Sequence, residues 1–72
     1  MDFTPQRLTL ARKRMGLTIA ALAKATQIST RSISAYENGA AEPTAPTARL
    51  LAEKLQVSPE FFQLPEVDEI PL

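Results

Sequence analysis

Residues 18–39 read TIAALAKATQISTRSISAYENG. Two short helices joined by a tight turn account for this stretch. Thr18 is a side chain suited to an N-cap, and Leu22 and Ala23 are the inward residues of the helix that follows. Thr26-Gln27-Ile28 forms the turn, and Ile28 is expected to plug the core between the two helices. Ser29 offers a second cap. From Thr30 to about Asn38, Ile33 and Tyr36 lie three apart and face inward. Thr30, Arg31, Ser34 and Ala35 are left pointing out. Gly39 supplies the left-handed stop that commonly ends a helix. The second helix of the pair is therefore presented outward.

On the N-terminal side, Phe3-Thr4-Pro5 reads as a helix start. Thr4 suits the N-cap, and proline suits the first helical position because its missing N–H would be unpaired there anyway. Phe3 and Leu8 have the spacing of a hydrophobic staple. A first helix over residues 5–15 would bury Leu8, Ala11 and Met15 on one stripe, with Gly16 as its stop. Arg12 borders that stripe and needs a partner. On the C-terminal side, Thr44 caps a fourth helix whose apolar face is Ala48, Leu51, Ala52 and Leu55. Gln56-Val57 turns the chain, and Ser58-Pro59 repeats the cap-plus-proline start. A fifth helix then carries Phe61 and Phe62. The expected fold is all-α, a compact five-helix bundle. Its core is Leu8, Met15, Leu22, Ala23, Ile28, Ile33, Tyr36, Leu51, Leu55, Val57 and Phe61. The domain is expected over residues 1–63. Residues 64–72 hold two prolines and three acids without helical period, and read as an acidic tail or linker.

Seventy-two residues make at most one domain, and a chain this short buries only about 60% of its unfolded surface. With no cysteine and no histidine, neither a disulfide nor a zinc cluster supports the fold. No metal or other cofactor is expected. The same absence nearly closes off nucleophile–base and metal-assisted catalysis, so an enzyme is the least expected class. No apolar run approaches the roughly 18 residues that span a bilayer, and a cytoplasmic location is expected.

The net charge is zero, but it is divided unevenly. Residues 1–36 hold six cations (Arg7, Arg12, Lys13, Arg14, Lys24 and Arg31) against one acid. Residues 37–72 hold two cations against seven acids. A basic face and a separate acidic end follow. A solvated helical surface with chance clustering would read the same way on charge alone.

Gly16-Leu17-Thr18, Leu22-Ala23, Ile28-Ser29, Ser32-Ile33-Ser34, Tyr36-Glu37-Asn38-Gly39, Pro43-Thr44, Leu51-Ala52 and Leu55-x-Val57-Ser58 together resemble the Cro/lambda-repressor type helix-turn-helix family. It is also called the xenobiotic-response-element (XRE) family. The resemblance runs from about Pro5 to Gln63. It implies a transcriptional regulator that binds operator DNA, with the second helix of the pair in the major groove and dimers on paired half-sites. By position it places Thr30, Arg31 and Ala35 at base edges. Arg31 could bridge guanine O6 and N7, a contact that discriminates by about 1–3 kcal/mol. The resemblance places phosphate contacts at Thr18, Ile19, Ser32, Asn38 and the loop into the fourth helix. Charge adds Arg14 and Lys24. Ile19 departs from the family's common glutamine, and Gln27 from a frequent glycine, so Gln27 is expected at positive φ. The resemblance also pairs Arg12 with Glu37. A weaker likeness of FTPQRL, AEPTAPT and SPEFF points to regulators in which an ImmA/IrrE-type peptidase domain follows. A protein-interaction or antitoxin module using the last helix and the tail is the alternative function.

Overall fold

The computed structural model of the protein describes residues 3–65. Four α-helices and one short 3-10 turn follow one another: α1 (Pro5–Arg14), α2 (Ile19–Thr26), α3 (Thr30–Asn38), α4 (Ala45–Leu55) and the turn at Pro59–Gln63. No strand occurs among the described residues.

Three of the helix starts are capped by side chains. Thr18, Ser29 and Thr44 accept hydrogen bonds from the amides of Ala21, Ser32 and Thr47. Each satisfies one donor that the first turn of a helix leaves unpaired. Thr4 stands at the corresponding position of α1, but its hydroxyl makes no cap bond. It donates instead to the Leu64 carbonyl. Gly16 and Gly39 follow α1 and α3 at φ 70° and 81°. Gln27 ends α2 at φ 60°, as its place in the turn leads one to expect, and Gln56 ends α4 at φ 59°.

The core is one cluster of Leu8, Ala11, Leu22, Ile33, Ala48, Leu51, Ala52, Leu55 and Phe62. Every helix contributes, so none can bury its apolar face without the others. α3 packs on α1 and α2, α2 also packs on α4, and the 3-10 turn lies against α1 and α4. Phe3, Leu17, Ile19, Ala23, Ile28, Tyr36, Val57 and Phe61 close the edges of the cluster, each partly buried.

Four expectations are corrected. The fifth helix is a five-residue 3-10 turn. Within it Phe62 is the core residue, fully buried, whereas Phe61 is only half-buried. The tighter turn moves the buried position by one residue relative to an α-helical reading. Met15 is 39% exposed rather than buried. The helix has ended one residue before it, and the left-handed Gly16 diverts the chain from the stripe. Val57, expected inside, is half-buried at the edge, as are Ala23, Ile28 and Tyr36 of the expected core. Residues 66–72 of the expected tail lie outside the described residues.

Leu64 and Pro65 are held against the start of the chain, the first through Thr4 and the second through Arg7 of α1. The Thr4 amide donates to Phe62 O at 2.7 Å, and Arg7 Nε donates to Pro65 O at 3.1 Å. The Arg7 guanidinium also lies over the Phe61 ring, 4.8 Å from its centroid. Phe3 meets Phe62 with ring centroids 5.5 Å apart. The two ends of the domain are thereby fastened to each other.

Candidate nucleic-acid interface

The turn between α2 and α3 is built from side chains as well as backbone. Thr26 is a polar residue buried to 6% exposure. Its hydroxyl donates to the Leu22 carbonyl at 2.8 Å and accepts from the Ile28 amide at 3.3 Å. One hydroxyl thus closes the end of α2 and fixes the chain leaving it. Gln27 makes the left-handed step, and Ile28 then packs on the core. Ser29 caps α3 at once. Its hydroxyl accepts from the Ser32 amide at 3.1 Å and donates to the Ser32 hydroxyl at 2.9 Å. Sequence reasoning placed Thr26 only in the turn. Its burial was legible solely as a threonine one turn after Leu22, where back-bonding to the helix carbonyl is possible.

Ile33 anchors α3, fully buried. The opposite side of the helix faces out. Thr30, Arg31, Ser34 and Asn38 are exposed, and Ala35 is half-buried at the edge of that face. Ser32 is half-buried, with its hydroxyl hydrogen left over after the exchange with Ser29. The Asn38 carbonyl oxygen accepts from the Ala40 amide at 2.9 Å, which leaves its NH2 group as the available donor. Thr18, Arg14 and Lys24 are exposed. Ile19 is half-buried and packs on the core, so its side chain offers nothing to a ligand. Its amide, in the first turn of α2, has no partner inside the helix. The loop into α4 carries the exposed acid Glu42 and no cation. The face is therefore rich in hydrogen-bond donors, with one guanidinium in the first turn of its helix.

A pair at the rear of α3 fixes the helix. Arg12 Nε and Nη2 donate to the two oxygens of Glu37 at 2.7 and 3.0 Å, a two-point contact. Arg12 Nη1 donates to Leu17 O at 2.9 Å, and the Thr9 hydroxyl donates to Glu37 Oε1 at 2.8 Å. The side chains are only 13% and 9% exposed. The hydrogen bond that Arg12 donates to Glu37, together with the carboxylate's charge, raises the Arg12 pKa above its ordinary value, against the opposing effect of burial. Helix α1, the loop after it and the end of α3 are tied at one point. Sequence reasoning did not identify Thr9 as a member of this group.

Residues 8–62 match the family model HTH_3, described as helix-turn-helix. Two solved structures are similar. One is the crystal structure of an HTH_3 family transcriptional regulator from Vibrio cholerae, at 31% identity and a TM-score of 0.74. The match covers 81% of the present chain but only 33% of that regulator, so the chain spans about a third of its length. The other is the P22 c2 repressor protein in complex with a synthetic operator, at 29% identity and a TM-score of 0.78. That match covers 86% of the present chain and 94% of the repressor chain. No curated protein matches the sequence. The chain belongs to the HTH_3 helix-turn-helix family.

Proposed function

We propose that the chain is a sequence-specific DNA-binding module of a transcriptional regulator, with α3 entering the major groove. The observation that carries this reading is the outward face of α3. Thr30 and Arg31 stand exposed in its first turn while Ile33 holds the opposite side in the core. Family membership and likeness to an operator-bound repressor support it.

Arg31 would place its guanidinium on guanine O6 and N7. Thr30 would meet a thymine methyl or a phosphate, and Ala35 can supply only a methyl contact. The first amides of α2, which have no partner inside the helix, with Thr18 and the leftover Ser32 and Asn38 donors, would hold phosphate oxygens. Helix N-termini suit that task because their unpaired N–H groups and dipole favour an anion. Arg14 and Lys24 add charge. The module acts in the cytoplasm as a dimer or as one arm of a larger regulator, with copies on half-sites about 34–36 Å apart.

A gel-shift titration against random duplex at two salt concentrations tests the reading. Binding at low salt that weakens at high salt is expected, because neutralising phosphates releases counterions. A protein that binds no duplex at low salt overturns it. Arg31→Ala should lower affinity for the selected site by roughly 1–3 kcal/mol and relax preference at one base pair.

A further inference from the structure

Asn38-Gly39 carries chemistry that the binding reading does not use. Asn38 is the chain's single asparagine, and a glycine follows it. The fold itself demands that glycine. Gly39 ends α3 at φ 81°, a left-handed step that a side chain resists. The peptide nitrogen after Asn38 is thus the least hindered that a chain can offer. The Asn38 carboxamide is folded toward it. Its Oδ1 accepts from the Ala40 amide at 2.9 Å, a turn that closes a ring around the Asn38–Gly39 peptide. The same bond polarises the side-chain carbonyl and makes its carbon a better electrophile. Asn38 is exposed, so water reaches it.

The end of the helix also holds this chemistry back. The Gly39 amide donates to the Ala35 carbonyl, as do the amides of Ala40 at 3.0 Å and Ala41 at 3.3 Å. The Gly39 nitrogen becomes a nucleophile only when that bond opens and Asn38 leaves its helical ψ. Opening the last turn of a helix costs far less than unfolding the domain.

We propose that Asn38 is a self-modification site. It deamidates in the folded protein through opening of the last turn of α3, and the product carries a charge that weakens DNA binding. Base removes the Gly39 amide proton, and the nitrogen bonds to Asn38 Cγ. The Cγ–Nδ2 bond breaks and ammonia leaves, carrying a proton. Water then opens the resulting succinimide at either carbonyl, which leaves aspartate or isoaspartate at position 38. Water in and ammonia out balance the change, with no oxidant or cofactor. The product exchanges the available NH2 donor for a carboxylate. The loop that follows carries Glu42 and no cation to neutralise it. Negative charge at a helix C-terminus also opposes the dipole. The effect on binding rests on the reading that α3 enters the major groove with Asn38 at a phosphate; the modification does not.

The full chain is aged in mildly alkaline buffer, folded and in parallel unfolded in guanidinium, and followed by ion exchange and peptide mass. A more acidic species should form, one mass unit heavier in the peptide that holds residue 38. The folded chain should react more slowly than the unfolded one, but faster than its unfolded fraction alone allows. A folded rate fully accounted for by that fraction overturns the modification in the native state. The purified product and Asn38→Asp should each bind duplex roughly tenfold more weakly than fresh protein, on random and selected sites alike. Asn38→Ala, which cannot react and adds no charge, should lose less. Both substitutions lie at an exposed position and leave the core untouched. Equal binding by aged and fresh protein overturns the effect on DNA. Failure of fresh protein to bind any duplex at low salt overturns the DNA-binding reading, and the mass measurement still decides the modification.

Discussion

At the scale of single residues, two positions make opposite demands on the fold. Gln27 holds φ 60° at the end of α2, a conformation in which a Cβ costs about 1–2 kcal/mol. Glycine removes that cost but gives back some chain entropy in the unfolded state. Gln27→Gly should therefore stabilise the protein by about 0.5–1 kcal/mol, seen as a higher urea midpoint at unchanged slope. No increase would mean that the Gln27 side chain contributes as much as its backbone costs. Arg12 makes the contrary case. Its guanidinium is the partner of Glu37 and of the Leu17 carbonyl in a site closed to most solvent. Arg12→Met keeps the packing volume but strands the Glu37 carboxylate with only the Thr9 hydroxyl. Removing one partner of a buried pair costs about 3 kcal/mol, against about 0.5 kcal/mol or less for the exposed Lys13→Ala. Equal urea midpoints for the two variants would show the pair to be energetically idle. Gln27 was legible because a helix-turn-helix resemblance prescribes glycine there. Gln56, at the same φ, carries no such signal and was visible only in the structure.

At the scale of elements, the caps were the most legible part of the sequence. Thr18, Ser29 and Thr44 each precede an apolar-periodic run and each accepts from the amide three residues on. Local chemistry decides these ends, and local chemistry is what a sequence displays. The 3-10 turn was less legible for the converse reason. Five residues are too few to show a period, and two adjacent phenylalanines cannot be ranked without knowing whether the turn holds 3.0 or 3.6 residues. Tertiary contacts with Phe3 and α4 decide for Phe62. Phe62→Ala should then cost about 3–5 kcal/mol. That is most of the stability of a domain this size, so the variant should show a broadened or lost thermal transition. Phe61→Ala loses a half-buried ring and the Arg7 contact, and should stay folded with a smaller shift in midpoint. A reversed order would place the core residue one position earlier, as the helical period suggested. The exposed face of α3 was also legible, since Ile33 and Tyr36 fix which side turns inward. The commitments of its polar groups were not, because Ser32 and Asn38 each give an acceptor to partners that only the folded turn and loop bring near.

At the scale of the whole molecule, the charge division becomes a statement about affinity. Net charge is zero, so long-range attraction to a polyanion has to come from where the cations stand. Lys13, Arg14, Lys24 and Arg31 are exposed in the half that contains α1 to α3. Lys54 is equally exposed, but on α4 among acids. Neutralising each phosphate steepens the fall of log K with log salt by about 0.9. Few cations imply a shallow dependence, about −3.6 per bound copy if all four exposed cations of that half engage. The variants separate the roles. Lys24→Ala should weaken binding to every sequence alike and reduce the slope by about 1. Arg31→Ala should weaken the selected site much more than random duplex, because a base contact is lost there. Lys54→Ala should change neither if α3 alone enters the groove. A Lys54→Ala slope that falls as far as that of Lys24→Ala would place the DNA across α4. The outward face of α3 would then no longer be the surface that meets the duplex.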